Sequence, residues 1–384
     1  MEQPLRRQVV ISASTTVLAA ALNKALSELN WSFLVSVFVG VLVLLRSYPR
    51  CKQWYRTLDR GRRIGVSFLA SASASLAALA GWYHIVGPRL SQWIIPDEEV
   101  VALVRRARWI TYGPLEFDPT AQRQPRPSSM REELLWIRRA GFDGIITFSS
   151  QEPLDMIPHL AKESGLSVIM GIWNPTDRRE VLLAAAKRKD VDGYVVGHNR
   201  LGINYSYREL LNVVRELRLR TRRPVTTTER IGTYLHDQRL LAVGDWVFPD
   251  AHLSLRDASQ TLPIPIFRAD ARRDIVATTE YAQKIAALAR QHRKPVLLKM
   301  ITYPMGGVDD TSLHEQANYF SLLLDSRRDA VAEMPLDVSI SVHSAFDHPW
   351  KMRWPFYQWD PYTGLIDEKG RPRPAAEAVI ERLP

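Results

Sequence analysis

From residue 109 to the C terminus the sequence keeps one rhythm: a short apolar run, a turn, an amphipathic stretch, then another run. The runs fall at Trp109–Phe117, Gly144–Ser149, Ser167–Asn174, Gly193–His198, Pro224–Glu229, Asp245–Asp250, Pro295–Tyr303 and Val338–Ala345. Between them lie stretches such as "REELLWIRRAG" and "YRELLNVVRELRLRT", whose apolar residues recur three and four apart as on a helix with one buried face. Gly141, Gly165 and Gly244 follow helical stretches, where helices are commonly capped. Strands alternating with helices over about 275 residues predict a (β/α)8 TIM barrel. A doubly wound open sheet would need a glycine-rich phosphate turn after an early strand, and "YGPLEFDP" is not one. There is no P-loop, and "LHEQAN" lacks the second histidine of a zinc HExxH motif. Neither a metal nor a cofactor is expected.

The charge sits elsewhere. Residues 1–108 carry 14 Lys and Arg against 6 Asp and Glu, a net +8 of the chain's +10. Basic charge beside apolar runs points to membrane topology and away from a nucleic-acid partner. Three uncharged stretches lie there: Gln8–Asn23, Leu29–Leu45 and Ile64–Arg89, the last interrupted only at Arg89. About 20 residues cross the hydrocarbon, so the third is long enough and the second nearly so. The first, 8–23, is short and rich in Ser and Thr; it is a third span, a re-entrant piece or a helix against its neighbours. No small-residue cleavage site marks it as a signal peptide. The loop Arg46–Arg63 holds seven basic residues against Asp59 alone, which places it in the cytoplasm by the positive-inside rule.

The expected organisation is a membrane anchor over 1–90 with two or three transmembrane helices, a linker over 91–108, and a barrel over 109–384. The anchor belongs in the inner (cytoplasmic) membrane with the barrel on the periplasmic, extracytoplasmic side. Cys51, the only cysteine, lies in the cytoplasmic loop, so the exported part has no disulfide. "ASASASLAALAG" (70–81) offers a small-residue helix face that lets a neighbouring helix approach closely, as for packing against other integral membrane subunits.

Four strand-end motifs fall in order: "TYGPLEF" on the first strand, "RPVTTTE" on the fifth, "SAFDHPWK" on the eighth and "GLIDEKGRPRPA" in the tail. Together they resemble glycoside hydrolase family 17, the retaining β-1,3-glucanases of clan A, in its bacterial form, over roughly residues 108–384. The resemblance implies β-glucan as substrate and two glutamates about 5 Å apart, one acid/base and one nucleophile. It puts the acid/base at Asn199, in Gly197-His198-Asn199, and the nucleophile at Met300, in "MITYPMGG". Tyr303 stands at the family's tryptophan, Pro304 at its proline and His348 at a further glutamate.

Asn199 exchanges no proton at neutral pH, and Met300 is no nucleophile toward an anomeric carbon. Loss of one such group costs orders of magnitude in rate, so the implied site is degenerate. Glu229 is the surviving family carboxylate and the candidate substitute, expected to pair with Arg230 or Arg200. Asp250, Asp309, Asp310, Glu116 and Asp118 are the other acids at strand ends. His198, Tyr303, His348 and Trp350 are candidate ligand-binding residues. Trp350 opens an aromatic cluster with Trp354, Phe356, Tyr357 and Trp359, which either stacks on sugar or packs the last loop. The expectation is a catalytically inactive scaffolding subunit of a larger membrane complex, energy-transducing or envelope-building. Two alternatives stand: a glucan hydrolase or transglycosylase with rearranged acids, and a glycan-binding subunit of a polysaccharide-synthesis machine.

Overall fold

A computed structural model describes residues 97–383 apart from 106, 252–269, 308–310, 326–334, 336 and 354–358. They belong to the unit Ile95–Pro384. The expected membrane stretches, the basic loop, Cys51, Asp309, Asp310, Trp354, Phe356 and Tyr357 lie outside the described residues. Among the described residues no helix is long and apolar enough to cross a membrane.

Strands β1 (Trp109–Thr111), β2 (Gly144–Ile146), β3 (Ser167–Ile172), β4 (Gly193–Val196), β5 (Val225–Thr227), β6 (Val296–Ile301) and β7 (Val338–Val342) form one sheet. All its pairings are parallel, and the order is β5-β4-β3-β2-β1-β7-β6. Helices α1 (Asp97–Arg105), α2 (Pro127–Arg139), α3 (Ile157–Glu163), α4 (Arg178–Ala186) and α5 (Tyr207–Thr221) accompany the first half. Helices α6 (Ile231–His236), α7 (Leu240–Val243), α8 (Ala271–Gln291), α9 (Leu313–Asp325) and α10 (Pro374–Arg382) accompany the second.

The sequence predicts a strand at Asp245–Asp250; the structure has a looser segment there. Val247 bridges Val296, and Asp250 bridges both Arg230 and Lys299. Asp250 N–H donates to Glu229 O at 2.8 Å, and Leu297 N–H to Val247 O at 3.0 Å. The segment thus joins β5 to β6 and closes the curled sheet into an α/β barrel. Pro249 has no N–H to offer, which is why the segment pairs without becoming a regular strand. The predicted first strand, Trp109–Phe117, stops at Thr111 for a related reason: Gly113 and Pro114 turn the chain away.

Side-chain alternation along the strands divides the core in two. Trp109, Ile146, Ile169, Val195, Trp246, Phe248 and Leu297 form an inner cluster, joined by Val100 and Val104 of α1. Trp109 Nε1–H donates to Leu103 O at 3.2 Å, so α1 caps the barrel interior. Gly144 leaves the space across which the Trp109 ring lies; a Cβ there would overlap it. The neighbouring strand positions, such as Ile110, Ile145, Val168, Tyr194 and Leu298, face outward into a second cluster with the helices.

Helix starts follow local chemistry. Asp177 accepts from the N–H groups of Arg179 and Glu180 to cap α4. Ser206 and Glu209 form a reciprocal capping box at α5.

Candidate functional site

The strand ends at the C-terminal pole bring together the side chains that a barrel of this kind uses for function. Glu180, on α4, holds the rim. Its Oε1 accepts from Ser149 Oγ at 2.7 Å and Trp173 N–H at 2.9 Å, and its Oε2 accepts from Asn174 N–H at 2.9 Å. One buried carboxylate thereby fastens the loops after β2 and β3. Trp173, 39% exposed, lies stacked on the His198 ring with centroids 4.5 Å apart.

Beneath His198 is a residue that sequence reasoning missed. Lys299, on β6, is 2% exposed, and its Nζ lies 2.7 Å from His198 Nδ1. The ammonium donates, so the imidazole carries its proton on Nε2. The rings of Phe148 and Phe248 stand 5.8 and 5.9 Å from Nζ. Burial pushes the amine down to about 8, while Asp250 and Glu229 pull it back up. An alternation signal was present in "VLLKMI": Leu297 and Lys299 share the inner face.

Glu229 is buried at the end of β5. Its Oε1 accepts from Tyr205 O–H at 2.6 Å and from Leu201 N–H at 3.2 Å. Burial raises its pKa, opposed by those hydrogen bonds and by Lys299. The expected cation pairing with Arg230 or Arg200 is corrected here: both residues are exposed, Arg200 reaches Glu229 through its backbone N–H, and the cation acting on Glu229 is Lys299. A surface arginine gains little from reaching into the interior, whereas a lysine already inside needs a carboxylate. The Tyr205 hydroxyl in turn accepts from His198 N–H at 3.0 Å. Gly197 makes this possible: its φ is +82°, and a Cβ would overlap the Tyr205 hydroxyl.

Asn199 takes the left-handed conformation, φ 55°, and its Nδ2 donates to Asp250 Oδ2. Its Oδ1 and the Thr228 hydroxyl are buried without a hydrogen-bond partner. Met300, φ 59°, is buried at the irregularity where β6 shifts register against β7. Of the candidate acids, Glu229 and Asp250 are brought together around Lys299. Asp118 accepts from Thr120 and Ala121 in its own turn, and Glu116 pairs with exposed Arg126. Both are committed to the loop after β1.

His343, at the end of β7, shares a 2.5 Å hydrogen bond with the Thr111 hydroxyl. Burial and Lys351 hold its pKa at about 4; Lys351 itself pairs with Asp360 at 2.8 Å. His348 is held well below its usual pKa by burial and the same lysine. Its ring packs against Gly113, 3.2 Å from where a Cβ would stand, and lies 6.2 Å from the Trp350 ring. His348 Nδ1 and Trp350 Nε1 are buried and unpartnered. Tyr303 is not with them. It stacks on Tyr319 of α9 at 4.9 Å in the outer cluster, because the turn after β6 sends it toward the helices, away from the mouth. Among the described residues no group of three His, Cys, Asp or Glu is placed to hold a metal.

Several solved glycoside hydrolases share this architecture. The GH5_18 protein of Bifidobacterium longum subsp. longum superposes with a TM-score of 0.50 at 15% identity, over 71% of this chain and 78% of that one. The GH5_18 protein of Streptomyces cattleya, solved with GlcNAc, gives 0.50 at 16% identity, over 73% and 80%. A GH2 β-galacturonidase of Eisenbergiella tayi, bound to galacturonate, gives 0.50 at 14%, over 72% and 50%. The fold is that of glycoside hydrolase barrels. No protein-family model matches the sequence, and no curated protein matches it.

Proposed function

We propose that this chain is a membrane-anchored, family 17-like barrel that has lost glycoside hydrolysis and serves as a structural subunit of a larger membrane complex. The observation that carries the loss is the ionic cluster at the mouth. Where a retaining glycosidase needs two acids facing a scissile bond, Asn199 donates to Asp250, and buried Lys299 acts electrostatically on both Asp250 and Glu229. A carboxylate already bonded to an amide and facing a buried ammonium is a poor nucleophile and a poor proton donor. The membrane part rests on the uncharged stretches and the basic loop Arg46–Arg63.

Purified full-length protein is expected to leave laminarin-type β-1,3-oligosaccharides intact. Turnover that disappears in Glu229→Gln would show that a substitute acid has been recruited and would sink the proposal. Gentle detergent extraction tests the other half: one dominant co-purifying assembly is expected, and a solitary protein counts against a scaffold. A second reading, glycan binding without cleavage, is favoured by Trp173. An exposed indole at the rim is the surface on which sugar rings stack. Tryptophan quenching by laminari-oligosaccharides that is lost in Trp173→Ala would favour that reading over the scaffold.

A further inference from the structure

The amine of Lys299 balances Asp250 and Glu229, and it also faces the His198 ring nitrogen. We propose that Lys299 and His198 form a carbonyl-capturing pair, in which the Lys299 amine condenses reversibly with the aldehyde of a short hydroxyaldehyde. The inference goes beyond the loss of glycoside hydrolysis and does not depend on it.

Geometry supplies the chemistry. An amine nucleophile must first lose a proton, and His198 Nδ1 is 2.7 Å from Lys299 Nζ, within reach for that transfer. The free amine then adds to the carbonyl carbon, forming a C–N bond and a carbinolamine. The added nitrogen passes one proton to the former carbonyl oxygen, the C–O bond breaks as the nitrogen lone pair forms C=N, and the hydroxyl leaves as water with the proton returned by His198. The product is a protonated imine, and no oxidant or reductant is consumed. Phe148 and Phe248 wall the amine with rings, the apolar setting that keeps a lysine nucleophilic. Burial lowers its pKa to about 8, so at pH 7 its free base is on the order of a hundredfold more abundant than at an exposed lysine.

Two further observations point to a hydroxylated ligand. Asn199 Oδ1 and the Thr228 hydroxyl end the neighbouring strands, buried and without partners, and a buried polar atom calls for one. The rings above the amine grade from buried to open: His198 is half-buried and Trp173 is 39% exposed.

The test is reductive trapping on the full-length protein with glycolaldehyde and cyanoborohydride at pH 7, read by peptide mass spectrometry. Exposed Lys284 is the internal reference, its side chain 60% exposed. Lys299 is expected to be alkylated at least tenfold faster than Lys284, with a rate that levels off above pH 8. His198→Gln is expected to slow Lys299 trapping at least tenfold while leaving Lys284 unchanged. Lys299→Arg, which keeps the charge, is expected to fold and lose the fast adduct. Alkylation of surface lysines with Lys299 untouched would overturn the proposal. So would Lys299 trapping that is indifferent to His198 or appears only once the protein is unfolded.

Discussion

Glu133 should behave as a pH-dependent liability whose size follows from its surroundings. It is buried on α2, and its Oε2 accepts from Tyr112 O–H at 2.8 Å and Leu115 N–H at 3.2 Å. Those bonds favour the carboxylate, but burial outweighs them and raises the pKa from 4.5 to about 7. A carboxyl raised on folding contributes stability that is complete below its unfolded value and is lost as the pH climbs through the folded value. At ~1.4 kcal/mol per tenfold change in proton affinity, ionising Glu133 costs the fold about 3 kcal/mol by pH 8. Glu133→Gln keeps the shape and an acceptor for Tyr112 and Leu115, and has nothing to ionise. Urea unfolding of wild type and variant should therefore agree near pH 4.5 and diverge above it. The variant should be more stable by about 3 kcal/mol at pH 8. A difference that stays constant with pH, or a variant weaker at pH 8, would refute the reasoning.

Three other outcomes are expected. Lys299→Met leaves two buried carboxylates without their cation, so unfolding at pH 7 should be easier by ~3–5 kcal/mol. The deficit should shrink on acidification, because Glu229, raised by burial, regains stability as it takes up a proton. The pair Asn199→Glu with Met300→Glu should restore no glucanase activity by reducing-sugar assay. Glutamate at 199 would face Asp250 in place of donating to it, and at 300 it would enter a buried bulge, each at ~2 kcal/mol or more. Cys51 should resist impermeant thiol reagents in intact cells, while a reporter fused after Pro384 reads as extracytoplasmic; labelling of Cys51 from outside would reverse the topology.

The barrel was legible because strands and helices alternate with different periods, and those periods survive packing. Strand ends could be ordered for the same reason, which put Asn199, Glu229 and Asp250 at one pole. What periodicity does not carry is which loop contact wins. Glu180 reads as an ordinary surface residue in "DRREVLL", yet its carboxylate gathers N–H groups from two loops. Tyr303 reads as a mouth residue by position along the strand. A bulge at Met300 shifts the register and turns it outward, and a one-residue shift exchanges the faces of a strand. Lys299 was hidden by expectation: a lysine between leucine and methionine looks like an edge or a snorkelling side chain until the ring closes around it.

That closure gives the barrel a seam. Around most of the ring, neighbouring strands share runs of paired residues, whereas the segment 245–250 is held by separate bridges. The buried ions straddle this line: Glu229 on one bank, Asp250 on the closing piece, Lys299 on the other. They act as a clasp. If the ring breathes anywhere it breathes here, and amide protons at Val247 and Leu297 would report it by exchanging sooner than those of β3 and β4. Whatever neutralises or occupies the cluster then sets how tightly the cylinder is buttoned, so the chemistry of the mouth and the integrity of the wall answer to the same three charges.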